Sequence, residues 1–210
     1  MDAVKFWDGI APKYARTPIS DQESYEYTLR RTASYLKASD RVLELGCGTG
    51  STALKLAGSA AHITASDFSS AMLEEGRRKA AEQGVENVSF ALAGASAPPE
   101  GPFDAALAFN LLHLVEDLDD VLAVIRDSLK PGGLFISKTF CTPEQGGSLK
   151  YYGIRTMLPL MQLIGKAPYV RFLTAPEWDR AVERAGFTLV ERECYPKKDA
   201  RRYIVARRTA

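Results

Sequence analysis

The sequence contains few of the side chains that build disulfide frameworks and metal centres. Its three cysteines, Cys47, Cys141 and Cys194, stand far apart, and only two histidines, His62 and His113, occur among 210 residues. Scattered cysteines do not form a disulfide framework or a zinc site, and two imidazoles argue against a histidine-rich metal centre. We therefore expect reduced thiols and no bound metal.

The chain also lacks an excess of charge and any long apolar run. Its 27 basic residues nearly balance 26 acidic ones, so no global field attracts nucleic acid or an anionic membrane. The N-terminus has no signal-peptide core, and no apolar run reaches the ~18 residues that cross a bilayer. These two absences lead us to expect a cytoplasmic protein. We also expect one domain, because 210 residues fit a single domain and 46% hydrophobic residues can supply a sizeable core.

What the chain does contain is a glycine-rich turn directly after an apolar strand. The stretch Val42-Leu43-Glu44-Leu45-Gly46-Cys47-Gly48-Thr49-Gly50 places glycines at alternate positions. Glycine tolerates a positive φ angle and lets a ligand approach the backbone. A dinucleotide fingerprint would need glycine or alanine where Ser51 stands, so the turn favours a ligand other than NAD.

From residue 41 onward, short apolar runs alternate with helical patterns, which is typical of a parallel sheet with crossover helices. The predicted strands are Arg41 to Leu45, His62 to Asp67, Val88 to Ala91, Ala105 to Asn110, Leu134 to Phe140, Leu189 to Cys194 and Tyr203 to Arg207. The predicted helices between them are Ser51 to Ala57, Ser70 to Gln83, Asp119 to Leu129 and Ala175 to Ala185. Two further helices are predicted between Val4 and Lys37, the second from Asp21 to Lys37.

These patterns predict an α/β fold: a Rossmann-like, doubly wound, seven-stranded and mostly parallel sheet. The last two strands, joined by Pro196 to Asp199, form a hairpin that adds one antiparallel strand. The predicted single domain comprises an N-terminal helical cap (1–38), a cofactor-binding core (39–142), a helical insert after strand five (143–174) and a C-terminal helix with the hairpin (175–210).

The second predicted strand ends in Asp67, at the same sheet edge as the glycine turn. There a carboxylate can accept hydrogen bonds from both hydroxyls of a ribose. The alternative is that Asp67 caps the helix beginning near Ser70, and the two roles can coexist. Together the turn and Asp67 predict a nucleoside-bearing ligand.

In these features the chain resembles the class I S-adenosylmethionine-dependent methyltransferases of the small-molecule type. The resemblance rests on the glycine turn with Glu44, on Asp67, on Phe103-Asp104 with Asn110-Leu111-Leu112-His113, and on Leu129-Lys130-Pro131-Gly132-Gly133-Leu134. The opening helix, from Phe6 to Ala15, is also similar to a segment that many such proteins place before the core. The resemblance covers residues 40 to 140 most strongly.

The resemblance implies that S-adenosylmethionine is the cofactor and that specific residues bind it. Glycine backbones would approach its amino-acid and ribose portions, Glu44 would orient the turn or receive the ammonium group, and Phe68 could lie against the adenine ring. The loop after strand three carries no acidic residue, so Ser96 or backbone groups would recognise the adenine edge. The implied cofactor-binding residues are Tyr14, Glu44, Gly46, Cys47, Gly48, Gly50, Asp67, Phe68, Met72, Ser96, Asn110 and Leu111.

Two residues are candidates for catalysis, which for methyl transfer can proceed by alignment alone. His113, just past strand four, could take a proton from the acceptor, or it could be a half-buried structural imidazole. Tyr14 could contact the cofactor or the acceptor, or it could simply pack against neighbouring aromatic residues of its helix.

The insert at 143–174 supplies the only indication of the acceptor. Its apolar and tyrosine-rich face predicts a lid over a pocket for a small, partly apolar or aromatic molecule. The alternative is that the insert adds core or pairs two copies as a homodimer. The residues expected to line the acceptor pocket are Tyr151, Tyr152, Arg155, Met157, Met161, Tyr169 and Arg171.

Two other functions stay open at this stage. The basic tail from Arg192 onward could serve an RNA or protein methyltransferase, although the near-neutral charge and the lack of a recognition domain make nucleic acid an unlikely partner. A protein could also keep the cofactor pocket and lack an acceptor site. The sequence does not decide among oxygen, nitrogen, sulfur and carbon methylation.

Overall fold

The computed structural model describes residues 3–143, 149–164, 166–195 and 201–209, and within them seven strands form one sheet with helices on both faces. The strands are β1 (Arg41–Leu45), β2 (His62–Asp67), β3 (Val88–Leu92), β4 (Phe103–Phe109), β5 (Leu129–Phe140), β6 (Phe187–Cys194) and β7 (Arg201–Arg208). The helices are α1 (Ala3–Arg16), α2 (Gln22–Ala33), α3 (Ser51–Leu56), α4 (Ser70–Gln83), α5 (Leu118–Ser128), α6 (Leu149–Leu163) and α7 (Ala175–Arg184).

The strands lie in the order β3-β2-β1-β4-β5-β7-β6. Among them β7 alone runs antiparallel to its neighbours, which confirms the predicted mostly parallel sheet with one antiparallel strand. The predicted hairpin connection, Pro196 to Asp199, lies outside the described residues. The strand order reverses between β1 and β4, and the crevice beyond the carboxyl ends of these strands is where open α/β sheets bind ligands.

Several predicted boundaries shift where turn residues do not end an element. The third predicted helix was expected to include Leu129, but α5 ends at Ser128, and β5 begins at Leu129 instead of Leu134. The backbone of Leu129 is extended, its side chain is buried, and it pairs with Phe103 at the start of β4. The strands therefore tolerate the Pro-Gly-Gly stretch as a register shift within the β4–β5 pair.

Side chains of successive strand residues fill two separate cores. In β1, Val42 packs on the face covered by α3 and α4, and Leu43 packs on the face covered by α5 and α7. The largest fully buried side chain, that of Trp178, lies on the α5 and α7 face. Both faces are thus closed, and the carboxyl edge of the sheet is where a ligand can enter.

A polar connection fixes α1 to this edge. Asp8 accepts hydrogen bonds from the Ser69 hydroxyl (2.5 Å) and from the backbone N–H of Ala71 (3.3 Å). Ser69 in turn caps α4 by accepting from the N–H of Met72. Because α1 is held against the start of α4, Tyr14 near its end lies next to the glycine turn.

The insert that carries α6 leaves and returns to the sheet at one place. Thr142 and Thr174 form a parallel bridge, and the N–H of Thr142 donates to the carbonyl of Leu173 (2.6 Å). The intervening chain is therefore an excursion from the end of β5.

Candidate functional site

A cleft of about 960 Å³ lies at the carboxyl ends of β1, β2 and β4. Of the predicted cofactor-binding residues, Gly50 alone does not line it. Those in its walls are Tyr14, Glu44, Gly46, Cys47, Gly48, Asp67, Phe68, Met72, Ser96, Asn110 and Leu111. The structure thus brings together residues that are spread over α1, the ends of β1 and β2, four loops and the start of α4.

The glycine turn forms the floor of the cleft because side chains are excluded from it. Gly46, Gly48 and Gly50 have φ angles of 60°, 53° and 68°, a region that favours glycine. A Cβ atom on Gly46 would lie 2.6 Å from Cδ1 of Leu111, and one on Gly50 would lie 2.6 Å from Cε1 of Phe90. Gly46 therefore permits close approach of the loop after β4, and Gly50 permits packing behind the turn.

Asp67 connects the turn to the second strand. Its Oδ2 accepts from the N–H of Gly48 and its Oδ1 accepts from the N–H of Ser69, each at 2.9 Å. The residue that caps α4 is Ser69, so capping is not the role of the Asp67 side chain. Burial raises the pKa of Asp67, and the backbone N–H groups oppose that rise. The two carboxylate oxygens together keep acceptor capacity for a further donor in the cleft.

Glu44 is a buried carboxyl group in the wall of the same cleft. It is 3% exposed, and its Oε2 atom has no hydrogen-bond partner among the described residues. Burial raises its pKa to about 8, with the charge of Asp67 adding to the rise. An unpaired buried carboxyl oxygen is costly, so a cationic ligand that reached it would be bound strongly.

Aromatic residues cover this floor. Tyr14 lies over the turn, with its ring 3.9 Å from the position of a Cβ on Gly48, and Trp7 packs edge-on against it. Tyr25 of α2 also lines the cleft, and its hydroxyl lies 3.4 Å from that of Thr52. Burial raises the pKa of both tyrosines, so both phenols stay protonated near neutral pH.

Sequence reasoning missed Tyr25 and Lys79. Lys79 of α4 lines the cleft and donates to the hydroxyls of Thr49 (2.7 Å) and Ser51 (3.1 Å). Both helices have ordinary amphipathic patterns, so no local motif marks either residue.

Asn110 has an unusual backbone at the mouth of the cleft. It was predicted to end the fourth strand, but β4 ends at Phe109 and Asn110 has a φ of 54°. No other non-glycine residue in the described part of the chain has a positive φ angle. Such conformations cost about 1–2 kcal/mol and concentrate at functional sites. The N–H of Asn110 donates to the carbonyl of Lys138 (2.7 Å), which holds the turn.

His113 does not line the cleft. Its Nδ1 lies 3.4 Å from the hydroxyl of Thr139, and its ring packs near Phe140. Burial lowers its pKa to about 4, so the imidazole is neutral at pH 7. The position corresponds to the structural imidazole that was the alternative to catalysis.

The insert reaches the cleft with its last turn and the segment after it. Gln162, Ala167, Pro168 and Tyr169 line the cleft. Tyr169 is thus the only predicted acceptor-pocket residue of the insert that does so. The others lie elsewhere in the structure: Tyr151, Tyr152, Arg155, Met157, Met161 and Arg171.

Five of these six residues belong to α6, whose docked face carries Tyr151 and Leu158, and Arg171 lies in the segment after it. Tyr151 packs against Phe140 and Phe172, and Arg155 lies over the Phe172 ring. Arg171 donates to backbone carbonyls of the loop before α5. In the described part of the chain no cluster of side chains suits a metal ion, and no helix is long and apolar enough to span a bilayer.

Residues 42–133 of the chain match a known family model, described as a methyltransferase domain. A demethylmenaquinone methyltransferase from Clavibacter sepedonicus is 36% identical over 147 residues, which cover 65% of this chain and 57% of that protein. A ubiquinone biosynthesis O-methyltransferase from Dinoroseobacter shibae is 25% identical over 201 residues, which cover 91% of this chain and 80% of that protein. The match to the Clavibacter protein thus spans little more than half of its length.

Among solved structures, the crystal structure of the [4+2]-cyclase SpnF superposes with a TM-score of 0.78. The two share 19% identity, and the alignment covers 99% of this chain and 95% of that one. A likeness at this identity shows a shared fold. Because SpnF is a cyclase, the fold is not confined to one reaction.

Proposed function

Because this chain belongs to the class I S-adenosylmethionine-dependent methyltransferase family, we propose that it methylates a small, partly apolar or aromatic acceptor. S-adenosylmethionine is the cofactor of that family. The observation that carries the proposal is the presence of two carboxyl groups in one cleft beside the glycine turn. Asp67 accepts a hydrogen bond from the turn, and Glu44 has an oxygen without a partner among the described residues.

The residues of the cleft fit the cofactor at both of its polar ends. Glu44 would receive the ammonium group, because a buried carboxyl oxygen without a donor is satisfied by a cation. Asp67 would hold the ribose hydroxyls while its bonds to Gly48 and Ser69 keep the turn in place. Phe68 would offer its ring to the adenine.

Methyl transfer requires mainly that the donor and the acceptor are aligned and that water is excluded. When bound, S-adenosylmethionine would supply a methyl group on a positively charged sulfur. An acceptor atom would bond to the methyl carbon in line as the carbon–sulfur bond breaks, and S-adenosylhomocysteine would be the leaving group. Tyr14 and Tyr25 would close the cleft over the reacting atoms, and their raised pKa values make them hydrogen-bond donors and not bases. His113 takes no part in the proposed transfer, because it does not line the cleft and its ring lies near Thr139 and Phe140.

The acceptor we propose is a hydroxylated aromatic or quinol ring. Support comes from the two relatives, whose names describe methyl transfer to menaquinone and ubiquinone precursors. The cleft continues from the glycine turn to Gln162, Tyr169 and Arg201. Arg201 pairs with Asp21 at 3.0 Å, and this pair could polarise an acceptor oxygen.

The structure offers little support for a nucleic-acid substrate. Of the basic residues in the tail, Lys197 and Lys198 lie outside the described residues. Arg201 pairs with Asp21, and Arg202 pairs with the buried Asp179. Cations that are already paired contribute less to phosphate binding.

Transfer of a labelled methyl group tests the proposal. The purified protein, S-adenosylmethionine with a tritiated methyl, and reduced 1,4-naphthoquinone or hydroxylated benzoquinol probes should give labelled product that is lost with Asp67→Ala. Transfer to RNA, and not to these probes, would contradict the proposal. Binding of S-adenosylhomocysteine without transfer to any small molecule would support a non-catalytic binder instead.

Glu44 predicts a pH dependence of cofactor binding. In the free protein its pKa is about 8, so at pH 6 the carboxyl is protonated and must lose its proton to pair with an ammonium group. Affinity for S-adenosylhomocysteine should therefore rise with pH between 6 and about 8, by up to about tenfold per unit. Calorimetry in buffers of different ionisation enthalpy should show proton release at pH 7.

Glu44→Gln is the matched control for that dependence. Glutamine keeps the shape and cannot ionise, so binding should become weaker and independent of pH over the same range. An unchanged pH profile in Glu44→Gln would show that another group titrates.

A further inference from the structure

The outer face of helix α6 is apolar and exposed. Its exposed fractions are Tyr152 51%, Met157 52%, Leu160 53%, Met161 37%, Leu163 83% and Ile164 55%. Contiguous exposed apolar patches of this kind mark interaction sites in soluble proteins.

The exposure is not a sign that the helix is detached. The opposite face is docked, since Leu158 is 8% exposed and Tyr151 packs against Phe140 and Phe172. The ends of the insert are joined at the Thr142–Thr174 bridge. The apolar face is therefore held outward by the fold itself.

The charge of this segment has one sign. Between residues 149 and 174 the sequence contains Lys150, Arg155, Lys166 and Arg171 and no aspartate or glutamate, although the chain as a whole carries a net charge of only +1. Arg155 and Lys166 are exposed. An apolar helix face with neighbouring cations is the pattern of helices that lie in the interface of an anionic bilayer.

We propose that the outer face of α6, together with the exposed cations Arg155 and Lys166, docks on the surface of an anionic lipid bilayer. The apolar side chains enter the boundary between headgroups and acyl chains, and the cations meet lipid phosphates. Pairing with a second copy through the same face is less favourable, because a two-fold axis would bring two sets of cations together without an acidic partner.

The position of α6 gives this contact a role. Gln162 on its last turn and the following Ala167, Pro168 and Tyr169 line the cleft, so a docked helix would place the cleft mouth at the lipid surface. An apolar acceptor could then enter from the bilayer without crossing water. This role rests on the proposed methyl transfer, whereas the docking itself does not.

Flotation with lipid vesicles tests the docking. The intact protein should float with vesicles of phosphatidylcholine containing about 30% phosphatidylglycerol, and at least about tenfold less with phosphatidylcholine alone. Leu160→Glu/Leu163→Glu places charge on the apolar face and should reduce binding at least about tenfold. Lys166→Gln should reduce it about fivefold.

The matched control is Leu92→Glu/Val190→Glu, which changes two other exposed apolar residues on β3 and β6. It should bind vesicles like the unaltered protein, and thermal unfolding should show that both double variants are folded. Equal loss in the control, or no flotation of the unaltered protein, would overturn the proposal. So would a dimer that Leu160→Glu/Leu163→Glu converts to monomer without any vesicle binding. Vesicle binding needs no methyl transfer, so its outcome is separate from that of the labelled-methyl assay.

Discussion

Replacing Asp67 with alanine should weaken S-adenosylhomocysteine binding by roughly a hundredfold or more. Two hydrogen bonds from ribose hydroxyls to a carboxylate contribute about 1.5–3 kcal/mol each, and every 1.4 kcal/mol is about tenfold in affinity. The variant also removes the acceptors for the N–H groups of Gly48 and Ser69, so the turn loses its connection to β2. Isothermal calorimetry on the intact protein measures this directly.

Asp104→Ala is the matched control for charge removal. Like Asp67, Asp104 stands in a strand and accepts a hydrogen bond from a backbone N–H, that of Arg41. It also forms an ion pair with Lys130 at 2.6 Å. It does not line the cleft. Its loss should leave affinity within about twofold, because an exposed ion pair of this kind is worth about 0–1 kcal/mol to stability and nothing to the cleft. Binding that survives Asp67→Ala unchanged would contradict the assignment of the ribose site.

Gly46→Ala should both destabilise the protein and impair cofactor binding. A residue with a side chain at φ 60° costs about 1–2 kcal/mol, and relief of a 2.6 Å contact with Leu111 costs about 1–3 kcal/mol more. Leu111 lines the cleft, so any movement that relieves the contact alters the cleft wall. We expect the free energy of unfolding to fall by about 2–5 kcal/mol and the affinity for S-adenosylhomocysteine to fall at least about tenfold.

Gly84→Ala is the control that distinguishes the effect of backbone strain from the effect of a changed cleft wall. Gly84 follows α4 with a φ of 63°, and a Cβ there would meet no atom within 4 Å. In Gly84→Ala, backbone strain alone should lower the free energy of unfolding, by about 1–2 kcal/mol in denaturant unfolding. The cofactor affinity should be unchanged. Equal losses of affinity in both variants would show that the contact between Gly46 and Leu111 has no bearing on the site.

The fold could be predicted because its determinants are local. Alternating apolar runs and helical patterns identify the strands, and the glycine turn and Asp67 stand directly after β1 and at the end of β2. The boundaries that were wrong depend on partners distant in sequence, as where Leu129 continues into β5 because Phe103 pairs with it. Local turn residues do not report such pairing.

Site residues at strand ends could likewise be predicted from local sequence, whereas site residues on helix faces could not. Residues of the strand ends, such as Glu44 and Asp67, could be placed from their motif, since the carboxyl ends of parallel strands meet at one edge. Tyr25 and Lys79 reach the cleft from helix faces whose docking no pattern shows. The insert is the extreme case: its aromatic residue Tyr151 packs against Phe140, and the apolar face expected to cover the cleft is exposed.

For this reason the sequence predicts the binding site of the methyl donor better than the binding site of the acceptor. The donor site that we propose consists of the backbone of the glycine turn and two carboxylates, Glu44 and Asp67, that the fold itself positions. The acceptor site that we propose includes Gln162, Tyr169 and Arg201, which come together in the cleft through tertiary packing of the insert and the C-terminal strand.

A crystal structure of the protein with S-adenosylhomocysteine would test the central claim most directly. We predict that the ribose hydroxyls will lie within hydrogen-bond distance of the Asp67 carboxylate and that the ammonium group will lie within that distance of Glu44 Oε2. The sulfur should then face the part of the cleft that leads to Tyr169. A ligand bound elsewhere, or one whose ammonium group leaves Glu44 unpaired, would contradict this account of the site.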